Sequence, residues 1–246
     1  MVTATAPTTP TVKGEPLRPW PPRSTVPRVQ PDRKRALERV ERGARGRDTQ
    51  SPLLLIVSAY AVITAVAVSI GFARGAPNVL VCAPMRGWTA DALVPHAVSA
   101  VLGLALAAAI VVGTRWLVKT KPWAAALHED LRPIARALGP ESIVIVALAS
   151  SIGEETLFRG ALVPALGPIL SSLLFGALHQ LRGRSRLSWW FFATLVGASF
   201  AYLFRFTGSL VGPLLAHAIV NGMNLRFLLA HDPQRTPQLG GLLGPR

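Results

Sequence analysis

The sequence predicts an all-α polytopic membrane protein: a transmembrane helical bundle of about six hydrophobic segments behind a disordered N-terminal tail. Three observations predict it. Half of the 246 residues are hydrophobic and only 15% are charged, against about a quarter in an ordinary soluble domain. Six apolar runs cross, or nearly cross, a hydrocarbon core that needs roughly 20 helical residues. The basic residues avoid those runs and crowd alternate connections, as the positive-inside rule produces. The formal charge of +14 therefore reads as topology rather than as affinity for nucleic acid, and no zinc-finger, basic-zipper or RNA-recognition signature accompanies it. A single cysteine, Cys82, excludes a disulfide scaffold, a cysteine-based zinc cluster and a CxxC redox centre.

Residues 1–50 form the expected basic, proline-rich cytoplasmic tail, with 11 Lys/Arg against 5 acids and eight prolines by residue 31. So few apolar residues cannot offset the ordering entropy of a fold. Residues 32–47 suit either a short basic helix on anionic headgroups or a solvated linker. No signal-peptide pattern opens the chain, so the first span is expected to act as the insertion signal. The bundle follows over 51–230, and a short tail closes the chain over 231–246. Its apolar segments run over 52–73, 93–113, 142–166, 168–181, 188–203 and 209–230. The fourth rises only about 21 Å at 1.5 Å per residue, so it is a tilted partial span or a helix packed inside the bundle.

Arg115, Lys119, Lys121, Arg132 and Arg136 fill the second connection, and Arg182, Arg184 and Arg186 fill the fourth. Arg74 and Arg86 in the first, with Arg205 in the last, are the few cations of the opposite side. Six spans with both termini cytoplasmic satisfy this bias.

Ionisable and amide side chains inside these runs need partners or a task, because a charge at a helix centre costs about 2.5 to 3.5 kcal/mol on insertion. Glu155 and Arg159 lie four apart and can pair on one helix face, while Glu154 is rotated about 100° away. The two acids therefore meet different surroundings: the paired one stays ionised, and the other is free to exchange a proton. Phe175 and His179 share a helix face, so the phenyl ring can fix the imidazole and exclude water. His217 and Asn221 repeat the spacing on the last segment, where two donors one turn apart can hold the same oxygen. Each of these has an ordinary reading: a structural ion pair, a capping histidine, or an interhelical hydrogen bond. Two acids, an arginine, two histidines and an asparagine on consecutive segments are hard to explain as packing alone.

In order, Glu154-Glu155-x-x-x-Arg159, Phe175-x-x-x-His179 and His217-x-x-x-Asn221 resemble the CPBP family. This is the family of CAAX prenyl endopeptidases and bacteriocin-processing or self-immunity membrane proteins also called Abi. The motifs place the similar region at about 142–230. The resemblance implies a glutamate-dependent intramembrane endopeptidase without a covalent acyl-enzyme and without a cofactor. It implies Glu154 as general base, His179 as its partner in activating water, and His217 and Asn221 as oxyanion donors. Glu155, Arg159 and Phe175 are then supporting residues, in keeping with a salt-bridged Glu155 being the poorer base. The tail and the first two spans carry no family motif and leave the substrate open. An Ala-, Arg- and Pro-rich composition looks bacterial, which favours a membrane-anchored sorting tail or leader peptide over a prenylated one, in the cytoplasmic membrane.

Other readings compete. Glu154, His179 and His217 can supply a two-His, one-carboxylate zinc site, although no HExxH pair is present and Asn221 is left without a task. Ser199 fails the rhomboid pattern, lacking a following glycine and preceding rather than following the HxxxN motif, and reads as a small residue at a helix contact. Cys82 is a bystander. A proton or ion transporter uses similar residues, but no inverted repeat is evident and the polar groups occupy one half of the chain. A non-catalytic immunity or scaffold protein of the same fold is the other alternative. His96, His128 and His231 receive no role.

Overall fold

The chain divides into two compact units, Met1–Arg45 and Gly46–Arg246. The structure, a computed structural model, describes residues 31–84, 93–179, 181 and 183–233, with side chains from residue 52 onward. Residues 1–30 of the tail expected over 1–50, and the cations Arg86 and Arg182, lie outside the described residues. So does most of the C-terminal tail. Residues 31–45 of the first unit are helical, and everything below concerns the second.

Among the described residues the regular elements are helical: α1 (Pro31–Ala73), α2 (Leu93–Thr120), α3 (Pro122–Glu155), a π-helix (Thr156–Leu162), α4 (Val163–Leu178), α5 (Arg186–Thr207) and α6 (Val211–Ala230). Helix α1 takes in the basic stretch 32–47, for which the sequence allowed either a helix or a linker. Among the described residues, four stretches are long and apolar enough to cross a membrane: Pro52–Ala73, Leu93–Thr120, Pro122–Leu178 and Arg186–Thr207. The expected count of about six is thus redistributed. The third and fourth segments belong to one helical run, and α6 falls short because His217, Asn221, Asn224 and Arg226 interrupt its apolar character.

Two Gly-Pro steps break the long run. Gly139 (φ 71°, ψ 161°) and Gly167 (φ 81°, ψ 165°) adopt a conformation open to glycine alone, and the following Pro140 and Pro168 keep each from re-entering the helix. Residues 122–138, expected as a loop, instead form a helix of their own. Residues 140–166 then rise about 40 Å, enough for a full crossing, and residues 168–178 return only about 16 Å. The hairpin at Gly167 sets residue 154 about 20 Å up one arm and residue 179 about 18 Å down the other. The two arrive at like heights inside the bundle.

Helix α6 packs chiefly on α2 and α3, and α4 on α5. One core cluster joins Ala107 and Val111 of α2, Phe200 of α5, and Ala216 and Val220 of α6, and another joins Phe158, Phe175 and Ala193. Leu55, Phe72, Val101, Val112, Ile169, Leu178 and Phe191 are more than half exposed, an apolar exterior suited to lipid rather than water.

The ends of the bundle are tied differently. At one, residues 80–82 run beside the α5–α6 turn, with Cys82 N–H donating to Gly208 O at 3.0 Å and Leu210 N–H to Leu80 O at 2.9 Å. Ser99 Oγ donates to Ser209 O at 3.0 Å and accepts Gly212 N–H at 2.9 Å. The two cation-poor connections therefore share one end. At the other, His128 Nε2 donates to His231 O at 3.0 Å, and Arg132 pairs with Asp232 at 3.0 Å and donates to Leu228 O at 3.2 Å. This latch holds the C-terminal end of α6 on residues 122–138.

Candidate active site

The site is built around the junction of α3 and the π-helix. Thr156 Oγ1 turns back to Ile152 O at 2.7 Å and Gly153 O at 3.0 Å, and Val163 N–H reaches the Phe158 carbonyl five residues earlier. Ser171 Oγ gives that carbonyl a second donor at 2.8 Å. Such π-turns admit one extra residue into a helix and often mark functional sites. This one follows Glu155 directly and carries Arg159.

Glu155 is fully buried, and its Oε1 accepts both Arg159 Nη1 at 2.9 Å and His217 Nδ1 at 2.6 Å. Arg159, 1% exposed, also donates from Nη2 to Gly197 O at 3.2 Å. Its guanidinium lies 4.4 Å from the Phe175 ring centroid and 5.4 Å from that of Phe200. The arginine is thus neutralised by one carboxylate and sandwiched by rings whose faces attract a cation.

Glu154 meets different groups. Tyr60 of α1 donates its phenol to Oε1 at 3.1 Å. Oε2 faces His179 Nε2 at 3.6 Å and His217 Nε2 at 3.8 Å, beyond direct hydrogen bonding to either. The ring of His179 lies tilted by 40° against Phe175 at 4.3 Å between centroids, meets Trp189 edge-on at 5.8 Å, and has its Nδ1 2.8 Å from Phe175 O. A carbonyl only accepts, so Nδ1 carries the hydrogen and the Nε2 of the neutral ring offers a lone pair toward Glu154. His217 gives its Nδ1 hydrogen to the Glu155 carboxyl oxygen and turns its Nε2 to Glu154. Phe200 and Phe175 flank the His217 ring at 5.7 and 6.2 Å.

Asn221 lies one turn beyond His217, but its Nδ2 donates to Ser150 Oγ at 3.0 Å, so the two residues take different acceptors here. One amide hydrogen of Asn221 remains for another partner. All seven residues singled out in the sequence thus lie on, or cap, helices converging on one region, with His179 and His217 both within 3.8 Å of Glu154. The side of Glu154 and His179 is the more open one: their side chains are 12% and 24% exposed, against 0% for Glu155. No group of three or more His, Cys, Asp or Glu side chains among the described residues is arranged to hold a metal ion. Glu154, His179 and His217 are the nearest set by chemistry.

Tyr60, Ser150 and Trp189 escaped the sequence reading. Tyr60 alone leaves a trace, as the hydroxyl-bearing aromatic of the first apolar run. Ser150 and Trp189 look like ordinary membrane-helix residues until their neighbours are known.

Residues 139–223 match the family described as Type II CAAX prenyl endopeptidase Rce1-like. The chain is 33% identical over 113 residues to CAAX prenyl protease 2 of Homo sapiens, covering 36% of this chain and 34% of that protein. It is 34% identical over 83 residues to the uncharacterized protein YpbD of Bacillus subtilis (strain 168), covering 33% of this chain and 42% of that protein. The chain thus spans about a third to two fifths of the length of the curated relatives it matches. No solved structure matches it.

Proposed function

We propose, for a chain whose residues 139–223 form a segment of the Rce1-like CAAX prenyl endopeptidase family, that it is an intramembrane endopeptidase using a glutamate-activated water. The observation that carries the reading is the convergence of both Nε2 atoms on Glu154 Oε2 while Glu155 is taken up by Arg159 and His217. Glu154 accepts a proton from water as the water oxygen attacks the scissile carbonyl carbon, and His179 Nε2 orients that water by accepting its other hydrogen. The carbonyl oxygen becomes an oxyanion. Asn221 serves it with its remaining amide hydrogen, and His217 serves it from Nε2 in its doubly protonated form, since Nδ1 already donates to Glu155. When the C–N bond breaks, Glu154 passes its proton to the leaving amine, and the water's second hydrogen, still on the new carboxyl group, passes to His179 Nε2, so the products are a carboxylate and an amine.

The substrate class we infer is a membrane-anchored protein tail or a leader peptide, entering on the more open side formed by Glu154 and His179. His179 immediately precedes the connection bearing Arg184 and Arg186, which the charge bias assigns to the cytoplasm. Cleavage is therefore expected within the bacterial inner membrane, at a site opening toward the cytoplasmic face, with the N-terminus on that same side. Zinc is the rival reading, favoured by the two histidines whose Nδ1 atoms are tied to acceptors while Nε2 stays free, an arrangement metal ligands share.

The test is proteolysis by the purified chain in liposomes against a panel of membrane-anchored C-terminal tails and leader peptides, with and without chelator. Glu154→Ala should lower turnover by about 10² to 10⁴, the range of a lost general base, and Glu155→Ala should do so less. Loss of cleavage on chelation, restored by zinc, would replace the glutamate mechanism with a metal one. Failure to cut any tail or leader would point to the non-catalytic role.

A further inference from the structure

Tyr60 belongs to α1, outside the segment that matches the endopeptidase family, and yet it touches the acid at the centre of the site. Its phenol donates to Glu154 Oε1 at 3.1 Å. The approach is close: a Cβ at Gly153 would stand 2.9 Å from Tyr60 Cδ1 and 3.1 Å from Tyr60 O. Glycine at 153 thus lets the α1 backbone and the tyrosine ring lie directly against the residue preceding the acid. Helix α1 is held there from its other end as well, where Arg74 Nη1 donates to Ala161 O of the π-helix at 2.9 Å.

The two oxygens of Glu154 are thereby made unequal. Oε1 is engaged by the phenol, while Oε2 is buried and faces both imidazoles without a hydrogen-bond partner among the described residues. A carboxylate with one oxygen tethered cannot spin its reactive oxygen away, and a base must sit within hydrogen-bond reach of the proton it takes. We propose that Tyr60 is a positioning residue: it fixes Oε1 so that Oε2 is the oxygen presented between His179 and His217. The assignment rests on the proteolytic reading above and extends the working site to α1.

Two measurements on the full chain in liposomes test it. In the cleavage assay, Tyr60→Phe keeps the ring against Gly153 and removes only the donor. It should lower kcat about tenfold or more, the value of one hydrogen bond to a charged group, with KM within about twofold and the thermal midpoint unchanged. The second readout needs no turnover. Infrared difference spectra of wild type against Glu154→Gln isolate the carboxyl bands of Glu154, and these should shift in Tyr60→Phe. Shifted bands with reduced kcat support the assignment. Unmoved bands overturn it whether or not kcat falls, and so do shifted bands with wild-type kcat. If the wild-type chain cleaves nothing, the proteolytic reading fails, and unmoved bands would then sink the tether separately, whereas shifted bands would uphold the fixing of Oε1.

Discussion

Glu155 accepts two cationic or cation-capable donors on one oxygen, Arg159 at 2.9 Å and His217 at 2.6 Å, and none of its surface reaches solvent. Breaking a buried pair by removing one partner strands the other charge, at a cost of about 3 to 5 kcal/mol, whereas replacing both partners by apolar groups is often nearly neutral. Glu155→Gln should therefore lower the thermal midpoint in detergent sharply. Glu154→Gln should leave it close to wild type, and Glu155→Gln/Arg159→Met should recover part of the loss. Equal midpoints for the two single variants would contradict the division between a framework acid and a working acid. That division was legible in the sequence, since spacing of four sets Glu155 against Arg159 and turns Glu154 away. The partners of Glu154 were legible only in part. His179 and His217 stand out as imidazoles in apolar runs, whereas Tyr60 is separated by 94 residues and nothing local to either residue signals the contact.

At the scale of elements, helix placement depends on how closely backbones approach. A Cβ at Gly212 would fall onto the Ser99 carbonyl, and one at Gly103 onto the Gly212 backbone, so α2 and α6 cross through glycines, as small residues allow in membranes. Neither obstacle is the movable end of a side chain. Gly212→Ala should push α6 outward and carry His217 with it, costing about 1 to 3 kcal/mol of stability by overpacking and most of the cleavage activity. Gly113→Ala is the matched control, since nothing lies within 4 Å of its Cβ position; it should be neutral or gain about 0.5 to 1 kcal/mol from the better helix former. Thermal midpoints and turnover of the two variants would settle the comparison, and a tolerated Gly212→Ala would show that the crossing has slack. The break at Gly167 has a local correlate, the Gly-Pro step lying between the segments 142–166 and 168–181. The π-turn was not readable, because its extra residue is accommodated by tertiary partners such as Ser171 at the Phe158 carbonyl and not by any local sequence preference.

For the whole molecule, the contacts reduce the choice of which end faces which compartment to one measurement. The connection bearing Cys82 pairs with the α5–α6 turn, while residues 128–132 meet residues 231–232 at the opposite end, so labelling one loop of each set orients all of them. Charge bias puts the basic connections inside and hence Cys82 outside. As the chain's single cysteine, Cys82 needs no background substitution. Burial pushes its thiol up from the ordinary value and Arg205 only partly offsets this, so the reactive thiolate is scarce at neutral pH. In intact bacterial cells an impermeant maleimide should therefore modify Cys82 slowly at pH 7 and faster as the pH climbs past about 8.5, the usual thiol range. Arg184→Cys in a Cys82→Ser chain should resist the same reagent until the cells are permeabilised. The reverse pattern would invert the molecule and open the Glu154 and His179 side to the exterior, where it would meet secreted or surface-anchored chains instead of cytoplasmic tails.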